Sequence, residues 1–160
     1  AYDKMVVTII VIGWKMFSLD SQLERDTLSV ATLPLCELLL MNDANYPWLI
    51  LVPRQVSIHE LIDLSDHDQR QYQLESNMIS RLLQSQFKAD KLNIAALGNV
   101  VSQLHIHHIA RFYNDQAWPK PVWGVLPPLP YAAAELTEAL TLILSGLNSQ
   151  TLVAFDWQQG

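Results

Sequence analysis

The chain is poor in cysteine, in charge and in long apolar runs. Cys36 is the one cysteine, which excludes a disulfide within the chain and points to a reducing compartment, the cytoplasm. Charged residues make up 16%, and 10 Lys and Arg against 16 Asp and Glu give a net charge of −6. Proteins that grip nucleic-acid polymers normally carry a basic patch, so this composition argues against such a partner. The apolar opening run, Met5 to Trp14, is too short to span a bilayer. It also lacks the cleavage site and clearly basic flank of a secretion signal, and no membrane partner is expected. No internal repeat or composition break divides the chain.

What is present is enough for one core: 160 residues, 50% of them apolar, fit a single domain. Lys15-Met16 reads like a more usual protein start, so residues 1–15 are expected to be an extension and residues 16–160 the domain.

Three of the five histidines crowd into Gln103-Leu104-His105-Ile106-His107-His108-Ile109-Ala110-Arg111. Branched residues here and at Val100 and Val101 argue for a strand. Side chains alternate along a strand at about 3.3 Å per residue. Gln103, His105, His107 and Arg111 are then expected on one face, with Leu104, Ile106 and His108 on the other. A neutral imidazole is a nucleophile at neutral pH. A second imidazole or an amide beside it can hold the tautomer or donate to an anionic oxygen, and Arg111 brings a permanent positive charge suited to phosphate. The group reads as a nucleophile among donors, the arrangement for acyl or phosphoryl transfer. Two other readings stand beside it. The histidines are zinc ligands with partners drawn from Cys36, His59, His67 or Asp43, or they are a solvated face with no role. His108 reads as a hydrogen-bonded core or interface residue.

The stretch from Gly98 to His107 resembles the signature of the histidine triad superfamily of nucleotide hydrolases and transferases, in which three histidines alternate with apolar residues after a Gly and a short polar segment. Aligned on the Gly and the strand, Gln103 falls on the first histidine position, His105 on the second and His107 on the third. The register that starts at His105 loses the last histidine, at Ile109. The resemblance implies that His105 is the nucleophile of a covalent nucleotidyl intermediate and that His107 supports it at the phosphate. It implies Asn99 and Ser102 as further phosphate contacts, and no metal or other cofactor. Gln103 departs from the pattern, since an amide is neither acid nor base but still donates and accepts. A binding or sensing protein with little catalysis is the alternative that this departure leaves open.

Cys36 to Met41 and Trp48 to Val52 read as an antiparallel pair of strands joined by a polar turn. The pair resembles that of the same superfamily, which makes Asn42 a candidate nucleoside contact; turn-shaping explains Asn42 equally well. Ser65 is an N-cap for a helix whose apolar stripe runs from Leu74 to Phe87. His59 and His67, near its start, read as surface residues. Lys91 to Leu97 reads as a third strand and Tyr131 to Leu147 as a second helix ending near Gly146. The segment Trp118-Pro119-Lys120-Pro121-Val122-Trp123-Gly124 resembles a run found in a bacterial branch of the superfamily and is expected to pack rather than to cap a site. The tail from Thr151 to Trp157 is expected to add a short strand or to pack. The elements predict an α+β domain with an antiparallel sheet and two main helices. The resemblance adds a homodimer acting on a nucleotide or dinucleotide.

Overall fold

The computed structural model describes residues 16–151. The extension expected over residues 1–15 and the tail from Leu152 onward lie outside the described residues. A short helix α1 (Ser21–Asp26) leads into β1 (Thr27–Thr32), β2 (Cys36–Met41) and β3 (Trp48–Pro53). A single 3-10 turn precedes α2 (Asp66–Phe87), then β4 (Lys91–Ala95), β5 (Ile106–Arg111) and α3 (Ala133–Thr151). The strands form one antiparallel sheet in the order β1-β2-β3-β5-β4. The predicted fold class, hairpin and two main helices are all present.

Every residue of β3 and of β5 is buried, because the sheet has a core on each face. Toward the helices, Leu38, Leu40, Leu49, Leu51 and Ile106 pack with Ile79, Leu82 and Leu83 of α2 and Ile143 of α3. Toward the other side, Leu39, Ile50, Val52 and Ile109 pack with Leu23, Trp48 and Val122. Each such side chain contributes roughly 1.5–3 kcal/mol by leaving water.

α2 begins at the expected cap, where the Ser65 side chain accepts from the Asp68 N–H. From its buried side Glu75 accepts from the backbone N–H groups of Leu35 (2.7 Å) and Cys36 (3.0 Å). That carboxylate ties the β1–β2 turn to the helix. It also adds to the burial that pushes the Cys36 thiol far up from its ordinary range.

Three expectations change. The polar and mixed stretch from Phe17 to Thr32, for which no element is predicted from its isolated leucines, forms α1 and β1. As an edge strand β1 buries only part of its surface, so its apolar pattern is faint and pairing with β2 decides its conformation. The histidine strand begins at Ile106 rather than near Val100, since the Leu104 N–H bonds the Ile58 carbonyl (3.0 Å) instead of a neighbouring strand. Gly146 does not end the last helix; it lies within α3. A Cβ there would come 2.6 Å from the Leu82 Cγ, so glycine is what lets α3 approach α2.

Candidate active site

Alternation along β5 separates its two histidines. His108 pairs with Leu49 and His107 with Ile50, so they stand on opposite faces. His108 is fully buried on the helix side, its Nε2 2.8 Å from the Ser76 Oγ and its Nδ1 3.2 Å from the Ile106 carbonyl. A carbonyl only accepts, so Nδ1 carries the proton and the Ser76 hydroxyl donates to Nε2. Burial holds this ring's pKa down at about 4. It is the core histidine that the sequence suggested.

His107 faces the other core. Trp48 pairs with Ile109, two residues along from His107 on the same face, which brings the indole within reach of the imidazole. The indole N–H of Trp48 donates to Nδ1 of His107 at 3.0 Å. Trp123 meets the same ring edge-on with centroids 5.3 Å apart, so the tryptophan loop does pack, and it packs on an imidazole. Burial first, then the neighbouring His105, lower the His107 pKa to about 4, against a partly opposing hydrogen bond to the Leu97 backbone. His107 is therefore neutral near pH 7, with Nδ1 accepting and the proton on Nε2.

His105 sits one residue before β5. Its ring meets that of His107 edge-on with centroids 4.9 Å apart, so the two imidazoles adjoin as predicted. Nδ1 of His105 lies 2.7 Å from the Gln103 carbonyl, which places the proton there and leaves the lone pair on Nε2. The ring is only 6% exposed yet lines an open cleft of about 190 Å³ with His59, Glu60, Gly98, Asn99 and Ser102. Gly98 permits this approach: a Cβ there would stand 2.8 Å from the Val101 carbonyl oxygen and 3.5 Å from Cε1 of His105.

The other predicted site residues divide. Asn99 and Ser102 are brought to the cleft. The Gln103 amide is not free to serve it, because Oε1 accepts from the Asp20 N–H (2.8 Å) and Nε2 donates to the Ser18 carbonyl (2.9 Å). The side chain anchors the segment before α1 instead. Arg111 is not brought to the cleft. It is 1% exposed, and it donates to Asp115 through Nε and Nη2, to the Asn93 Oδ1 through Nη1 and to the Lys120 carbonyl through Nη2. Asn42 is not brought to the cleft either. It follows β2 at the turn beyond Trp48, which pairs with Ile109, whereas His105 precedes the other end of β5. There its Oδ1 accepts from the Tyr131 N–H (3.1 Å).

Two site residues were not recognised from the sequence. Trp48 read as a strand residue, and nothing in its spacing connects it to His107. His59 read as a surface histidine; it is exposed, but it forms part of the cleft wall with Nδ1 2.9 Å from the Ser102 carbonyl. Among the described residues, no three His, Cys, Asp or Glu side chains are grouped so that they could hold a metal ion. No described helix is long and apolar enough to cross a membrane.

Known proteins share this arrangement of strands. The sequence profile of the HIT domain matches residues 22–114. A histidine triad protein from Bradyrhizobium japonicum is 48% identical, with a TM-score of 0.81 over 82% of this chain and 98% of that one. One from Sinorhizobium meliloti is 44% identical, with a TM-score of 0.80 over 82% and 97%. The diadenosine triphosphate hydrolase of Plasmodium falciparum, at 19% identity and a TM-score of 0.57 over 86% and 85%, shares the fold. No curated protein matches the chain.

Proposed function

The chain belongs to the HIT domain family, and from that premise we propose that it is a nucleotide hydrolase or nucleotidyl transferase acting through a covalent nucleotidyl-histidine. The observation that carries this reading is the state of His105. A backbone carbonyl holds its Nδ1–H, so the lone pair is on Nε2, in a ring that borders an open cleft. The substrate is a nucleotide or dinucleotide with a phosphoanhydride or phosphoramidate bond. A fold held in common with a diadenosine triphosphate hydrolase makes a dinucleotide the natural first substrate to try.

In the first step Nε2 of His105 bonds to the α-phosphorus, and the bond to the leaving group breaks with its electron pair going to the departing atom. In the second, water or another acceptor attacks the same phosphorus and the N–P bond returns its pair to Nε2. Asn99, Ser102 and the backbone N–H groups of the 98–102 segment are the donors assigned to the phosphate oxygens. His107 is assigned the supporting role: a neutral ring, held by Trp48, that keeps His105 in place.

Incubation with a nucleoside phosphoramidate or a labelled dinucleotide tests the reading. We expect nucleotide covalently retained on His105, and loss of turnover in His105→Ala with nucleotide binding still measurable. Unchanged turnover in that variant would reject the assignment. A second reading, a nucleotide-binding or sensing protein with little catalysis, is favoured by one observation, the engagement of the Gln103 amide away from the cleft. Reversible binding with no covalent label would support it. A homodimer and a cytoplasmic setting belong to the same proposal, and a solution mass equal to a single chain would remove the dimer.

A further inference from the structure

Breaking a bond from phosphorus to an amine or an alkyl oxygen calls for a proton on the departing atom, and neither neighbour of His105 in the motif offers one. Gln103 has no acidic proton, and both ends of its amide bind the segment around Ser18 and Asp20. His107 is neutral near pH 7 and its ring is engaged by Trp48 and the Leu97 backbone. The cleft beside His105 holds one other imidazole, that of His59.

The two rings are held alike. The Ser102 carbonyl is 2.9 Å from Nδ1 of His59, and the next carbonyl along, that of Gln103, is 2.7 Å from Nδ1 of His105. Each carbonyl only accepts, so each ring has Nδ1–H turned to the backbone and Nε2 as its working nitrogen. One Nε2 holds the lone pair that attacks. The other, on an exposed ring in the cleft wall, is open to carry a proton as a second donor.

We propose that His59 is a further catalytic residue, the general acid that protonates the leaving group. The inference rests on the reading of His105 as the nucleophile. As Nε2 of His105 bonds to phosphorus, the bond to the leaving atom breaks. That atom takes the electron pair and then the proton from Nε2 of His59, which becomes neutral. When water attacks the nucleotidyl-histidine, its proton passes to Nε2 of His59 and the N–P electron pair returns to His105. One water is consumed, the leaving group departs protonated, and both rings end as they began.

The test is dependence on the leaving group in a single turnover. The probes are a nucleoside phosphoramidate of an alkylamine, which must be protonated to leave, and a nucleoside 4-nitrophenyl phosphate, whose leaving group departs as a stable anion. His59→Ala should slow release of the amine about 10²–10⁴-fold while changing release of nitrophenolate only a few fold. His59→Asn retains an amide N–H for the Ser102 carbonyl but has no proton to give, and should show the same selective loss. Equal losses on both probes, or no loss on either, would overturn the proposal. A wild-type protein that forms no adduct on His105 would instead show that the parent reading fails.

Discussion

The roles of four ring nitrogens on His105, His107 and His108 follow from their partners, three of which can only donate or only accept. The carbonyls of Gln103 and Ile106 accept from Nδ1 of His105 and His108, and the indole of Trp48 donates to Nδ1 of His107. The remaining one, Nε2 of His108, then takes the proton of a hydroxyl, that of Ser76. Burial makes protonation of His107 and His108 costly, with both pKa values lowered to about 4. A histidine whose folded pKa lies below its unfolded value of about 6.5 stabilises the fold when neutral. That contribution is complete above the unfolded pKa and is lost as pH falls from about 6.5 toward 4, by roughly 2 kcal/mol for each ring at pH 5. Urea unfolding at pH 7 and pH 5 should show the difference, and His108→Gln should narrow it. An unaltered difference in that variant would mean that His108 is charged in the folded protein.

Helix α2 does more than cover the sheet. Its Ser76 reaches His108 on β5, and the adjacent Glu75 takes two backbone N–H groups of the β1–β2 turn and the Gln71 amide. A carboxylate 3% exposed with three donors is well matched, and its removal orphans the donors of Leu35 and Cys36. Hydrogen bonds to a charged group contribute about 1.5–3 kcal/mol each. Glu75→Ala is therefore expected to cost about 3–5 kcal/mol, read as a fall in the urea midpoint with the slope unchanged. A shift below about 1 kcal/mol would show that water replaces the carboxylate without penalty. The pairing of α3 with α2 through Gly146 obeys the same logic of contact, since the 2.6 Å approach of a Cβ to Leu82 leaves no room for a side chain.

Across the molecule as a whole, Arg111 is where the parts of the sheet meet the tryptophan loop. From β5 it reaches Asn93 on β4, Asp115 at the start of the loop and the Lys120 carbonyl beyond it, and it lies 5.6 Å from the Trp118 ring centre. That loop carries Trp123 onto His107, so an ion pair at one end of β5 supports the imidazoles at the other. Arg111→Ala leaves Asp115 buried without its partner and should cost about 3–5 kcal/mol. Arg111→Lys should recover only part, because an ammonium cannot reproduce the planar fork. Thermal unfolding of both variants checks this, and full recovery by lysine would show that charge alone matters there.

Much of the fold was legible from local pattern. The α2 stripe, its Ser65 cap, the hairpin strands and the division of His107 from His108 follow from periods of 3.6 and 2, which a chain cannot adopt without displaying them. The motif from Gly98 to His107 singled out, by its family resemblance, the ring proposed as nucleophile, because its residues lie close together in sequence. The strand β1 and the polar partners of the site were not legible. Gln103 is taken up by Ser18 and Asp20, Arg111 by Asn93, Asp115 and Lys120, Asn42 by Tyr131, and His59 by Ser102. Each polar side chain carries several donors or acceptors of equal intrinsic worth, and which of them is satisfied by protein depends on segments that only folding brings within 3 Å or so. Periodicity determines which face a residue takes, while its chemical duty is assigned by whatever distant backbone arrives beside it.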